Sequence, residues 1–206
     1  GIERIDLDGP GIYFDKLVLD SLKFNMLYDS TGASNLDGIL NLFASSDTTP
    51  DTTQSMFRLY SHKCLVYRSD IVMKGYNPPT IPEINFDDLH LQKLNVEAQP
   101  FDLFGDTIRI GIQNCSAREK CGLVIDTLAM NFAMEPMAMK FDQLKLLSGK
   151  THIDAEHIRL INLTEDAYSH FEDEVSFDIQ LHNSQISTDE LAWFAFDLKA
   201  YEIDAS

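Results

Sequence analysis

Six histidines, a few carboxylate clusters and three cysteines are the residues of this chain whose types suit chemistry. The histidines are His62, His90, His152, His157, His170 and His182. A helical zinc site needs two His four apart with a Glu between them, and no such pair occurs. His152 and His157 are five apart, so on a regular strand they face opposite sides. Solvent-facing strand positions are the plain reading. Asp6-Leu7-Asp8-Gly9 opens like a calcium loop, but the later ligands are missing, and a turn at Gly9-Pro10-Gly11 is expected instead. Glu172-Asp173-Glu174 reads as an exposed acidic turn. Asp87 and Asp88 are neighbours on a strand, so their carboxyls diverge and do not combine for acid–base work. No Gly-x-Ser-x-Gly elbow, Gly-x-Gly-x-x-Gly or phosphate loop is present. The expectation is a protein with no catalytic residue, no metal and no cofactor, and so not an enzyme. Cys64, Cys115 and Cys121 are too few and odd in number for a disulfide scaffold. Cys115 and Cys121 flank Ser116–Lys120, an expected turn that would bring them near each other; free thiols are the plainer reading.

The elements that would carry any site are set by a recurring phrase: apolar residue, Asp, any residue, Leu, any residue, apolar residue. It reads Phe14-Asp15-Lys16-Leu17-Val18-Leu19, Phe86-Asp87-Asp88-Leu89-His90-Leu91, Ile125-Asp126-Thr127-Leu128-Ala129-Met130 and Phe141-Asp142-Gln143-Leu144-Lys145-Leu146. The Leu and the last apolar residue are two apart, hence on one face of a strand. A repeated strand unit builds a sheet by addition and does not wrap one catalytic pocket. The recurring Asp is expected at an outward polar position or a strand-entry turn.

Ile12 to Tyr28 is strand-like, with a phase flip at Asp20-Ser21 that marks a bulge or corner. Leu36, Ile39, Leu40 and Phe43 have helical spacing, which predicts a short amphipathic helix. Ala44 to Ser55 reads as a mobile loop. Phe57 to Met73 predicts two or three strands, and Ile84 to Val96 another. Gly105-Asp106 predicts a hairpin turn before an alternating strand from Thr107. Leu123–Met134, Ala138–Leu147, His152–Leu163 and Val175–Leu181 continue the series. Ser187-Thr188-Asp189-Glu190 before Leu191 looks like a capped helical turn. Trp193-Phe194, beside Phe196, reads as a plug for an open end of the sheet or as an exposed aromatic contact for a partner, the plug being the favoured reading. Strands this short, joined by turns, imply a mainly β, elongated antiparallel meander with two short helices and one extended domain over residues 1–206.

The 206 residues carry 16 Lys+Arg and 33 Asp+Glu, a net charge of −17, and are 44% hydrophobic. Such a surface repels phosphates, so no nucleic acid partner is expected. No stretch approaches the roughly 20 apolar residues of a membrane-spanning helix, and no basic leader with an apolar core opens the chain. Gly1 in place of Met reads as an excised segment of a longer protein.

Met26-Leu27-Tyr28-Asp29-Ser30-Thr31-Gly32-Ala33-Ser34-Asn35-Leu36-Asp37-Gly38-Ile39-Leu40 joins a strand, a Gly turn, an Asn-Leu pair and a helix. Phe57-Arg58-Leu59, Cys64-Leu65-Val66-Tyr67, Gly105–Ile108, Glu119–Leu123 and the run from Phe171 to Ala195 fit the same layout. Together these resemble AsmA-like envelope proteins, including TamB-type translocation and assembly modules of Bacteroidetes-type bacteria. The resemblance implies a strongly curved, taco-like sheet with an apolar groove. It implies a periplasmic location, an inner-membrane anchor in the full-length protein, and a membrane-proximal place for this segment. It implies phospholipid acyl chains as cargo, with an outer-membrane assembly protein as partner. The two helices, the acidic loop near Asp47 and the run at Glu172 depart from a simple groove repeat.

A groove of alternating apolar side chains shields acyl chains at roughly 0.8 kcal/mol per buried methylene, with no residue indispensable. The alternation nominates Leu17, Leu19, Phe24 and Met26 for that face, with Leu65, Tyr67, Leu89 and Leu91. It adds Ile108, Ile110, Ile112, Leu128 and Met130, and then Leu144, Leu146, Ile158 and Leu160. A one-residue slip would reverse any strand. The alternatives are a secreted or surface β-sandwich that binds or adheres, which predicts two layers, and a hydrolase on a β scaffold, which needs His and carboxylates converging in one cleft.

Overall fold

Short polar turns between alternating apolar runs give strands that pair with their sequence neighbours. The computed structural model describes residues 2–6, 11–35, 58–105, 107–162 and 175–194. The strands are β1 (Ile2–Asp6), β2 (Gly11–Asp20), β3 (Lys23–Leu27), β4 (Arg58–Lys74) and β5 (Asp88–Phe104). They continue as β6 (Thr107–Glu119), β7 (Val124–Glu135), β8 (Ala138–Ser148), β9 (Thr151–Asn162) and β10 (Val175–Leu181), followed by helix α1 (Thr188–Leu191). One open, curved sheet holds all ten strands in the order β1-β2-β4-β5-β6-β7-β8-β9-β10, with β3 beside β4. The chain is thus mainly β, as expected. Extensive contacts between elements occur only between hydrogen-bonded neighbours. Among the described residues the sheet is therefore a single layer that does not close on itself.

From β4 onward every neighbour is antiparallel, as a meander requires. The N-terminal end departs from that pattern. β2 runs parallel to β4, with Gly11 opposite Arg58, and β3 continues in line beside the second half of β4. The expected helix at Leu36–Phe43 and the loop at Ala44–Ser55 lie outside the described residues, as do His170, Asp8-Gly9 and Glu172–Glu174.

The two or three strands expected up to Met73 are also corrected, because residues 58–74 form one continuous strand. The apparent breaks are β-bulges. Ser21, Arg68, Lys93 and Gln143 have φ of 57°, 48°, 51° and 53° within or between strands. Register shifts accompany the bulges in β4, β5 and β8. A bulge opposes two residues to one and bends its strand. Its effect on side chains is simple: apolar residues three apart return to the same face, and the two polar residues between them both point away.

That rule explains the repeated phrase. In every copy the leading apolar residue and the Leu are three apart, and in the third and fourth a register shift lies between them. Register places Phe14 opposite Ser61 and Leu17 opposite Cys64, Ile125 opposite Ala117 and Leu128 opposite Cys115, and Phe141 opposite Phe132, one bulge away from Leu144. The Asp and its follower are the outward pair. Phe86 of the second copy precedes its strand and is 71% exposed. The expected turn at Ser116–Lys120 is also displaced. β6 continues through Glu119 and turns at 120–123, because the bulge after Ile112 keeps Cys115, Ala117 and Glu119 in phase with the apolar face. All three thiols are free.

Candidate functional site

Cross-strand register turns the bulged strands into continuous apolar rows. One row runs Ile12, Leu59, Leu103, Ile108, Met134, Met139, Leu160, Phe177 from β2 to β10. The next runs Phe14, Ser61, Phe101, Ile110, Phe132, Phe141, Ile158, Ile179. A third runs Leu19, Val66, Val96, Cys115, Leu128, Leu146, Ile153. Phe132 and Phe141 meet as a tilted aromatic pair with centroids 5.3 Å apart. Leu94, Cys115 and Ala117 form a buried cluster on this face. Most of the rest are half-buried, because in one layer side chains shield each other only sideways. At the β10 edge Phe177 and Ile179 are 53% and 51% exposed.

The opposite face is polar. Register sets Tyr60, Asp102, Arg109, Ala133, Lys140, Arg159 and Asp178 in one row. Arg58 binds Asp102 through two hydrogen bonds of 2.8 Å, and its guanidinium also lies over the Tyr60 and Phe104 rings. Lys140 reaches Glu135 at 2.8 Å and Arg159 reaches Asp142 at 3.3 Å. Such part-buried pairs at the sheet surface contribute modestly to stability and make this face polar. His152 and His157 were expected on opposite sides. They share the polar face, because Glu156 and His157 are the outward pair of a bulge facing the one in β8, and His157 Nε2 lies 3.0 Å from Asp178.

All the nominated groove residues but two fall on the apolar face. Leu17 and Leu19 pair with Cys64 and Val66, Phe24 with Ile71 and Met26 with Met73, while Leu89 and Leu91 flank Met73 and Ile71. Ile108, Ile110, Ile112, Leu128, Met130, Leu144, Leu146, Ile158 and Leu160 complete it. Leu65 and Tyr67 are in the other phase, opposite Val18 and Asp20. Leu65 is nevertheless buried, and Tyr67 is exposed. Alternation missed Phe101, Phe132, Phe141, Met134 and Cys115. The three-residue spacing inside the repeat is the signal that would have found Phe141.

The apolar face deepens into a pocket of about 290 Å³ at one end of β7, β8 and β9. Leu123, Ile125, Leu128, Leu146 and Ile153 form its floor, and Ile186, Leu191 and Phe194 its roof, with Ser148, Thr151 and Glu190 at the margin. A four-residue helix has no stability of its own, so α1 is held by its attachments. Ser187 caps it by accepting from Asp189 N at 3.2 Å, and Ser187 N donates to Thr151 Oγ1 at 3.0 Å. Glu190 accepts from Lys150 N and Thr151 Oγ1, both at 3.2 Å, and Lys150 Nζ lies 2.9 Å from Asp189. Trp193 O accepts from Ile84 N at 2.7 Å, while the indole packs on Gly122. Gly149 turns the chain at φ 55°, and a Cβ there would collide with the Glu190 carboxylate. Ser187→Ala removes the cap and is expected to cost about 1 kcal/mol, read as a lower urea midpoint.

Burial raises the Cys64 and Cys115 thiols, and Cys121 is pushed up to about 11 by burial and by the neighbouring Glu119. All three are protonated at neutral pH and are poor nucleophiles. The described His, Cys, Asp and Glu side chains form no cluster able to hold a metal ion, and no described helix is long and apolar enough to cross a membrane. No protein-family model, curated protein or solved structure matches the chain.

Proposed function

We propose that this chain is a non-enzymatic segment of a TamB/AsmA-like envelope protein that carries phospholipid acyl chains along the apolar face of its sheet. In this reading it serves lipid transport to, or protein assembly in, the outer membrane. The run of the apolar rows across seven or eight strands, with Ser61 the one polar position in them, supports it most directly. A wide apolar face on a single layer is costly in water unless something apolar rests on it. Methylene groups sliding from row to row lose no specific bond, so attraction is firm and motion is easy. The net charge of −17 suits tails more than headgroups, since anionic phosphates are held off. The periplasmic location, the inner-membrane anchor and the outer-membrane assembly partner follow from the resemblance alone. A β-sandwich binding module would need a second sheet on this face, and the described residues supply none.

The test places a photo-crosslinking residue at Ile110 or Leu128, with Gln113 on the polar side as control, in protein made in a Gram-negative host. Phospholipid adducts are expected at the first two and not at the third. Lipid extraction and native mass spectrometry of the same preparation should find co-purifying acyl lipid. Absence of adducts at both apolar positions would overturn the reading.

A further inference from the structure

We infer that the pocket beneath α1 is a seat for the methyl end of one acyl chain, and that α1 makes this end of the apolar face a closed one. The inference rests on the acyl-chain reading above and adds to it an orientation and a stop. The first ground is chemical. Each polar group at the pocket margin is already engaged. Ser148 Oγ donates to Val124 O at 2.7 Å, Thr151 Oγ1 donates to Glu190 and accepts from Ser187 N, and Glu190 also accepts from Lys150 N. A peptide, sugar or nucleotide pushed in here would leave its own donors and acceptors unpaired, at a cost that hydrocarbon does not meet. Enclosed apolar cavities accept hydrocarbon, and this pocket, open on one side, has the same kind of lining.

The second ground is size and continuity. At about 30 Å³ for each water-sized group, the 290 Å³ pocket has room for about ten methylenes, part of one chain and not two. Leu128, Leu146 and Ile153 belong both to the third apolar row and to the pocket floor. A chain lying along the face therefore runs into the pocket without crossing a polar position. Ile186 and Leu191 roof it, and α1 is strapped to the β8–β9 turn on the far side. A charged headgroup has no partner inside and stays outside, so the methyl end enters first.

The test uses the purified chain and two photoreactive palmitic acids, one with its diazirine near the methyl end and one with it beside the carboxyl, with labelled peptides mapped by mass spectrometry. The methyl-end probe is expected to concentrate on peptides containing Leu128, Leu146, Ile153 and Leu191, and the carboxyl-end probe elsewhere on the face. Ile153→Trp takes up part of the pocket and should lower pocket labelling about tenfold, the loss of roughly two methylenes' burial, while labelling around Ile110 and Phe132 persists. If that variant fails to fold, Leu191→Asp in the solvent-exposed roof replaces it, with the same expectation. Methyl-end labelling spread evenly along the face, or equal pocket labelling by both probes, overturns the pocket inference and leaves the acyl-chain reading standing. No labelling by either probe overturns both.

Discussion

Gly111→Ala is expected to lower the stability of the chain by about 3 kcal/mol, the upper part of the range for overpacking, although it adds a single methyl group. Gly111 is buried in β6 between Ile110 and Ile112. A Cβ there would collide with Gln99 O and lie 3.0 Å from Gln99 C, with Pro100 Cδ at 3.5 Å. Two of these three are backbone atoms, so no rotamer change relieves the overlap, and β5 must move as a unit. Moving it breaks the pairing of Ala98 with Ile112 and of Phe101 with Ile110, the centre of the apolar rows. Gly32→Ala is the matched control. Gly32 sits at φ 83° in an exposed turn with nothing near its missing Cβ, so only the backbone preference is lost, about 1 kcal/mol. Urea midpoints of the two variants measure the difference. Equal effects would mean that close approach of β5 to β6 is not what requires glycine at position 111.

The same pairing of β5 with β6 shows what the sequence makes legible. Alternation within Thr107–Ile112 is visible because a strand's period of two needs no partner. A bulge is different: its extra residue exists only relative to the strand beside it. Phe101 and Ala98, Ile112 and Cys115, and Phe141 and Leu144 therefore read as lost phase, while the sheet makes them neighbours on one face. Strand β4 was legible in pieces for the same reason, since Arg68 breaks the count without ending the strand. Leu65 and Tyr67 fail for a second reason. Cys64-Leu65-Val66-Tyr67 is apolar in both phases, so local hydrophobicity favours the larger pair, and only the register with Leu17 and Leu19 selects Cys64 and Val66. The capped turn at Ser187–Glu190 was legible from its hydroxyl and acids, but its docking on Lys150 and Thr151 joins segments distant in the chain, which no local pattern encodes.

Bulges also account for how a sheet of one layer keeps a mixed surface sorted. Each adds two outward residues between inward ones, so polar groups such as Asp126-Thr127 and Asp142-Gln143 enter the strands without interrupting the apolar face. Because bulges also bend strands, the device that sorts the faces is the one that curves the sheet. In the third and fourth copies of the phrase the Asp thus marks where a bulge falls.

Glu119→Leu is expected to cost about 3 kcal/mol, because it leaves two part-buried backbone donors without an acceptor at roughly 1–3 kcal/mol each. Glu119 is 3% exposed at the end of β6, in the apolar phase and opposite Leu91. Its carboxylate accepts from His90 N at 3.0 Å and from Cys121 N at 2.5 Å, closing the β6–β7 turn. Burial alone would raise its pKa, but the bonds from Cys121, His90 and Lys120 outweigh it and hold the carboxyl below its ordinary value of 4.5. The folded state therefore binds this proton more weakly than the unfolded chain does. The stability it supplies is complete above the unfolded value and is lost as pH falls from about 4.5 through the lower folded value. Glu119→Gln keeps one acceptor oxygen and cannot titrate, so it should cost less at neutral pH and flatten the acid limb of the stability profile. Urea midpoints of the three proteins from neutral pH down to pH about 3 supply the comparison. An acid limb as steep in Glu119→Gln as in the parent chain would show that other carboxylates, such as the Asp88 and Glu135 groups held low by Lys120 and Lys140, carry the acid sensitivity instead.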